Sequence, residues 1–248
     1  MEIGLISDVH GNAPALRKVL SHMPDVEKII HAGDVVGYNP YPSEVIEIFE
    51  ERGIQSIQGN HDRAVGGNTA FGFNSLAGRA VEWTRENLST EEIEYVHTLP
   101  TEDDFFDGRV HVAHGAPGAP DRYTYPREFS PTLLSDEDVL VLGHTHVQGK
   151  RRFDEGAIVN PGSVGQPRDG DPRAAYAVLN FETLEGVATV AKETNLNLLR
   201  AIRQHEPGSI SELAEIVGRD YREVHRNLEE LEELGIVTFE EEGRSKKP

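Results

Sequence analysis

The chain has 248 residues, no cysteine, and 43 acidic against 24 basic side chains, a formal charge of −19. Without cysteine there are no disulfides, thiolate metal sites or cysteine nucleophiles. The acidic surplus disfavours non-specific attraction to nucleic acid and matches the surface of a protein from a high-salt cytoplasm.

The opening MEIGLIS reads as a short apolar strand running into the polar loop DVHGN, without the basic start and small-residue cleavage site of a signal peptide. No apolar run approaches the roughly 18–20 residues that span a bilayer, so a cytoplasmic protein with no membrane partner is expected. PALRKVLSHM places Leu16, Val19, Leu20 and Met23 at helical spacing. VEKIIHAG is a second strand, and SEVIEIFEERG a helix with Val45, Ile48 and Phe49 on one face and Gly53 at its C-cap. GIQSIQG is a third strand, ending at GNHD. Two successive βαβ units with polar residues at each strand's C-terminal end describe an α/β active-site edge.

A Gly/Asn-rich loop and two helices, LAGRAVEWTRENL and EEIEYVHTL, lead to four further strands at GRVHVAHG, DVLVLGHTH, GAIVNPGS and AAYAVLNFE. This run of strands suggests a pair of sheets covered by helices on both outer faces. After residue 192 the character changes to three closely spaced helical patterns, which places a domain boundary between 1–192 and 193–248.

Five motifs occur in order at strand ends: Asp8-Val9-His10, Gly33-Asp34, Gly59-Asn60-His61-Asp62, His114-Gly115 and Gly143-His144-Thr145-His146. Each alone is weak. Together, each at the point where an apolar strand gives way to a loop, their side chains converge on one edge of a sheet. Carboxylate, amide and imidazole ligands without thiolate suit Mn²⁺, Fe or Zn²⁺ better than Mg²⁺ or Ca²⁺. Of the remaining histidines, His31 and His111 lie in strands and read as packed or hydrogen-bonded groups.

The ordered set is similar to the signature of the calcineurin-like metallophosphoesterase superfamily, and EWTRENLSTEEIEYVHTLP and NPGSVGQPRDG resemble its small prokaryotic phosphodiesterases. The resemblance covers residues 1 to about 190. It implies a four-layer α/β/β/α sandwich of two mixed sheets. It also implies two divalent cations, Mn foremost with Fe, Zn or Ni as alternatives. Asp8, His10 and His146 would hold one cation, and Asn60, His114 and His144 the other, with Asp34 bridging. A hydroxide shared by the cations would attack a phosphodiester, or also a monoester, in line. His61 would assist the leaving group, with Asp62 orienting its imidazole and favouring the protonated form; the alternative is that His61 only hydrogen-bonds the loop. Asn12, Arg63 and Arg168 are candidate substrate contacts, Arg168 equally a partner for Asp169 on a solvated loop.

The segment LRAIRQHEPGSISELAEIVGRDYREVHRNLEELEELGIVTFEEEGR resembles a winged helix-turn-helix of archaeal transcriptional regulators, with Ser209 as an N-cap. YREVHRNLEELEELG would be its recognition helix, with Tyr221, Val224, Leu228 and Leu231 as the apolar stripe. Arg219, Arg222, His225 and Arg226 would then be exposed toward a DNA groove. Against this, residues 193–248 carry 8 basic and 13 acidic side chains, and no return strand is expected for a wing after IVTFEEEG. The alternative is a small helical unit that dimerises or packs on the hydrolase. The rival function is a DNA-binding regulator whose metal domain senses a phosphorylated ligand, and a homo-oligomer fits either.

Overall fold

The computed structural model describes residues 1–67, 73–180, 193–205, 207–233, 235–242 and 245–247. The chain divides into two compact units, Met1–Leu179 and Asn180–Pro248.

In the first unit, β1 (Glu2–Ile6), β2 (Lys28–His31) and β3 (Gln55–Ser56) are parallel neighbours, and β9 (Ala177–Asn180) lies beside β1, in the order β3-β2-β1-β9. Helices α1 (Ala13–His22) and α2 (Pro42–Arg52) form the crossovers. Both begin with proline in the first turn, where the missing N–H costs nothing. Asn12 caps α1, accepting from the Ala15 N–H at 3.2 Å, and α2 stops at Gly53 in the left-handed conformation. Ile6 joins Leu16 and Val19 of α1, Met23 at its C-cap, and Val45 and Phe49 of α2 in one buried cluster. Gly4, on the same face of β1, has no side chain because the Met23 sulfur occupies the place of its Cβ.

Three helices follow β3: α3 (Asn60–Gly67), α4 (Ser75–Glu86) and α5 (Thr90–Thr98). A Ser89–Glu92 capping box opens α5. The second sheet has the order β4-β5-β6-β8-β7, from β4 (Glu102–Phe105), β5 (Val110–Ala113), β6 (Val139–Leu142), β7 (Gly149–Arg152) and β8 (Ala157–Asn160). β5, β6 and β8 are parallel, and the edge strands β4 and β7 are antiparallel to their neighbours.

Ala113, Leu140, Leu142 and Ile158 pack against Phe129, Leu133 and Leu134. Strand alternation therefore turns the buried Val110, Val112, Val139 and Val141 to the opposite face, and Ile3 and Leu5 likewise turn away from α1. Two mixed sheets flanked by helices result, as the four-layer sandwich implied. Among the described residues, Phe129, Leu133 and Leu134 reach the second sheet from a loop with two 3₁₀ turns, Pro126–Glu128 and Pro131–Leu133. The segment is rich in proline and too short in any stretch for a stable α-helix.

The second unit holds α6 (Glu193–His205), α7 (Ile210–Val217) and α8 (Tyr221–Glu233). Leu198, Leu213, Val224, Leu228 and Leu231 form its core. Ser209 caps α7 by accepting from the Glu212 N–H at 3.2 Å. Tyr221, expected in the stripe, is 46% exposed, because the stripe begins only at Val224. β10 (Glu240–Glu242) and β11 (Ser245–Lys247) pair antiparallel over three residues each, so the chain does return, contrary to expectation. Phe181 and Glu182 of AAYAVLNFE lie outside the described residues.

Candidate metal centre

Each candidate ligand follows a strand of one of the two parallel sets. Asp8 and His10 follow β1, Asp34 follows β2, Asn60 opens α3 after β3, His114 follows β5, and His144 and His146 follow β6. Asp8 (φ 54°), His10 (φ 50°), Asp34 (φ 63°), His144 (φ 64°) and His146 (φ 58°) all adopt left-handed backbone conformations. These cost energy for non-glycine residues, and such strain concentrates at functional sites. Here the inverted residues turn side chains from successive loops toward one point. Close packing of the loops is possible because Gly59 has no side chain: a Cβ there would collide with the Asp34 carboxylate and main chain.

Asp8, His10, Asp34, His114, His144 and His146 are buried. The ring protons point away from the centre. His10 Nδ1 faces the Val36 carbonyl at 3.2 Å, His114 Nδ1 the Ala32 carbonyl at 2.7 Å, and His146 Nδ1 the Gln166 carbonyl at 2.6 Å. Carbonyls accept only, so Nδ1–H donates, and in the neutral ring Nε2 is left as a lone pair for a ligand. His144 is bonded to the Asp121 main chain, and its Nε2 has no hydrogen-bond partner. The carboxylates are polarised likewise. Asp8 Oδ2 accepts from Ser7 Oγ at 2.6 Å while Oδ1 has no partner, and Asp34 Oδ1 accepts from the His61 N–H at 2.8 Å.

The inward atoms therefore meet acceptor to acceptor. His10 Nε2 lies 3.2 Å from His146 Nε2, His146 Nε2 lies 3.2 Å from Asp8 Oδ1, and Asp34 Oδ2 lies 3.6 Å from His10 Nε2 and 3.4 Å from His114 Nε2. Asn60 Oδ1 is 3.2 Å from His114 Nε2. Buried lone pairs so arranged repel unless a cation lies between them. The atoms form two groups, Asp8-His10-Asp34-His146 and Asp34-His114-His144, each within 4.8 Å, and Asp34 belongs to both. The residues thus fit two divalent cations sharing one carboxylate.

Protonation agrees. Burial holds His144 down to about 3 and His10 well below its ordinary value, keeping both imidazoles neutral, the ligand form. His114 is the exception: burial lowers it, but the Asp34 carboxylate beside it prevails and raises it to about 9, so its Nε2 holds a proton toward Asp34 that a bound cation would replace. This pair attracts positive charge.

Other candidates behave differently. Asp62 does not orient His61: its Oδ2 accepts from the main-chain N–H groups of Asp34 (2.8 Å), Val35 (3.1 Å) and Gly59 (2.9 Å), and Oδ1 from Val36 (3.1 Å). Asp62 instead holds the Asp34 loop against the GNHD loop. His61 Nδ1 has no partner. Burial, with His114, His146 and Arg168 nearby, lowers His61 to about 4 despite Asp34. Asn12 is committed to capping α1 and to the Gly165 carbonyl at 3.2 Å, and does not line the cleft over the metal ligands.

That cleft, of about 450 Å³, is lined by Asp34, Asn60, His61, His144 and His146 together with Arg63 and Arg168. Arg168 bonds Gln166 Oε1 at 2.6 Å, not Asp169; Arg63 pairs with Asp121. Sequence reasoning missed Tyr38, Phe73 and Tyr123, whose rings complete the wall. Tyr38 and Phe73 pack on His61 (4.6 and 4.8 Å) and Tyr123 on His144 (4.0 Å). It also missed Asn160 and Ser163, which brace the loops through the Gly143 carbonyl (2.7 Å) and the Asp8 carbonyl (2.8 Å). The Asn160-Pro161-Gly162-Ser163 string was the available signal. In the second unit, of the four proposed groove-facing residues only Arg222 and Arg226 are exposed. Arg219 turns back to Asn227 (3.3 Å) and Glu223 (3.6 Å), and His225 to Glu229 (3.3 Å).

Two buried ligand groups joined by one carboxylate, at the edge of a two-sheet sandwich, define a binuclear metal-dependent hydrolase. Residues 1–184 match the calcineurin-like phosphoesterase superfamily domain, and the chain belongs to that superfamily. Residues 190–248 match a second family, designated HVO_A0114. The structure of a metallophosphoesterase from Sphaerobacter thermophilus is similar at 36% identity and a TM-score of 0.64, covering 73% of this chain and 84% of that one. The uncharacterized protein MJ0912 of Methanocaldococcus jannaschii is 32% identical over 200 residues, 72% of this chain and 82% of the relative. Phosphodiesterase YfcE of Escherichia coli K12 is 26% identical over 200 residues, 76% of this chain and 92% of the relative. Among the described residues no helix is long and apolar enough to cross a membrane.

Proposed function

We propose that the chain hydrolyses phosphodiesters, with Asp8, His10 and His146 holding one cation, Asn60, His114 and His144 the other, and Asp34 Oδ2 shared. The observation that carries this is the convergence of imidazole Nε2 and carboxylate oxygen atoms on Asp34 Oδ2, with three Nδ1–H groups directed outward to carbonyls. The similarity to a relative named a phosphodiesterase supports the ester class. The donor set favours Mn²⁺, with Fe, Zn²⁺ or Ni²⁺ as alternatives. When bound, two such cations supply Lewis acidity at phosphoryl oxygens and lower the pKa of water to about 7.

The chain's own residues do the rest. Val36, Ala32 and Gln166 carbonyls keep three imidazoles in the ligating tautomer. His61, neutral and wedged between Tyr38 and Phe73, stands in the cleft wall where a departing alkoxide is released, and offers it a hydrogen bond. Arg168, whose polar partners Gln166 and Tyr38 are neutral, grips a non-bridging oxygen. Release of p-nitrophenol from bis(p-nitrophenyl) phosphate with Mn²⁺ tests this. Wild type turns over, Asp34→Asn does not, and His61→Ala keeps its metal while losing about 10²–10⁴-fold in rate. No metal-stimulated release in wild type contradicts it.

A second reading concerns the C-terminal unit. Arg222 and Arg226 are exposed one turn apart on α8, which favours contact with DNA phosphates and a regulatory role linked to ligand sensing by the metal unit. A mobility-shift assay at several salt concentrations, comparing wild type with Arg222→Ala/Arg226→Ala, tests it. Retardation that is absent in wild type at low salt, or unchanged in the variant, contradicts it.

A further inference from the structure

Among the described residues lining the cleft, the metal-site residues apart, three side chains carry formal charge at neutral pH: Arg63, Asp121 and Arg168. The two guanidiniums are not equivalent. Arg63 Nη2 is in direct contact with Asp121 Oδ1, so its charge is paired into a dipole whose field falls off faster than that of a lone cation. Arg168 has Gln166 Oε1 at 2.6 and 3.2 Å and lies 5.9 Å from the Tyr38 ring centroid, so its charge is solvated by neutral groups. Beyond the metal ligands, the cleft wall therefore offers one uncompensated positive charge and one exposed carboxylate.

That balance discriminates between phosphate esters. A diester carries one negative charge, whereas a monoester, with a second pKa of about 6, carries nearly two at pH 8. One guanidinium matches the first. The extra charge of the second meets Asp121, or Arg63 already neutralised by it.

We propose that Asp121 sets a preference for singly charged phosphodiesters over doubly charged monoesters by holding Arg63 neutralised at the cleft wall. This rests on the phosphodiester reading above and names a specificity determinant within it. Asp121 is suited to such a role because its side chain is 70% exposed, so replacing it leaves the packing intact. Its bond to His144 comes from the main chain, which a substitution keeps.

The test compares p-nitrophenyl phosphate with bis(p-nitrophenyl) phosphate at pH 8 with Mn²⁺, for wild type, Asp121→Asn, Arg63→Gln and the double variant. Inorganic phosphate is titrated calorimetrically into each Mn²⁺-loaded protein. Asp121→Asn is expected to raise the monoester-to-diester ratio of kcat/KM about three- to tenfold, mostly through KM, and to tighten phosphate binding by a similar factor. The effect should shrink at high salt. In the double variant the gain should vanish, because no Arg63 remains to be freed. An unmoved ratio in an active Asp121→Asn, or a gain that survives in the double variant, overturns the proposal. If wild type hydrolyses neither ester, the phosphodiester reading fails. The titration then still decides the charge role, and unchanged phosphate affinity in Asp121→Asn overturns it.

Discussion

Ser7 shows how much of the centre depends on a residue that touches no metal. Its hydroxyl fixes Asp8 Oδ2 at 2.6 Å, leaving Oδ1 to point inward. Ser7→Ala should weaken Mn²⁺ binding by about 10–100-fold while the fold persists, measured by calorimetric titration. His31 contributes through its neutrality. Burial lowers it from 6.5 to about 3, and its Nδ1–H donates to Ser56 Oγ at 2.7 Å. The unfolded chain takes up this proton near pH 6.5, so the residue's stabilisation is complete above that pH and is lost as pH falls toward 3. Urea midpoints measured between pH 7 and 4 should fall less steeply for His31→Gln than for wild type. The metal-site side chains were legible because imidazole and carboxylate at strand ends are a chemical signature. Their backbone partners at Ala32, Val36 and Gln166 were not, since a carbonyl acceptor has no letter of its own. Asp62 was misread for a related reason: its place beside His61 in sequence concealed a carboxylate turned to four main-chain N–H groups.

At the level of elements, the strands and helices with strong apolar periodicity were legible, and those lacking it were not. β4 (EDDF) and β7 (GKRR) are the two edges of the second sheet, where charge is tolerated and guards against further pairing. α3 (NHDRAVGG) has no apolar stripe and is held by packing against α4 and α5. The loops between elements carry equal weight. Gly37 has φ 138°, and a Cβ there would stand 2.8 Å from both His10 Nδ1 and His61 Nδ1. Gly37→Ala should therefore displace both rings and reduce metal-stimulated hydrolysis by about 100-fold, with far-UV circular dichroism unchanged. Wild-type kinetics in that variant would show that the Gly37 turn does not position the centre.

For the whole molecule, every candidate metal ligand lies within Met1–Leu179, and the second unit has a core of its own around Leu198, Leu213 and Leu228. Leu228→Ala should cost that core about 2–5 kcal/mol. In calorimetric melting it should lower the transition of the C-terminal unit while Mn²⁺-dependent hydrolysis continues. The two-sheet plan was legible from the alternation of strands and loops, but the covering of the second sheet by 3₁₀ turns was not, because Phe129, Leu133 and Leu134 form no helical period. The central claim is a pair of cations joined by Asp34, and counting them tests it most directly. Equilibrium dialysis against Mn²⁺ followed by elemental analysis should give two ions per chain in wild type and fewer than one tightly held ion in Asp34→Asn. One ion or none in wild type, or two retained by Asp34→Asn, contradicts the shared-carboxylate centre.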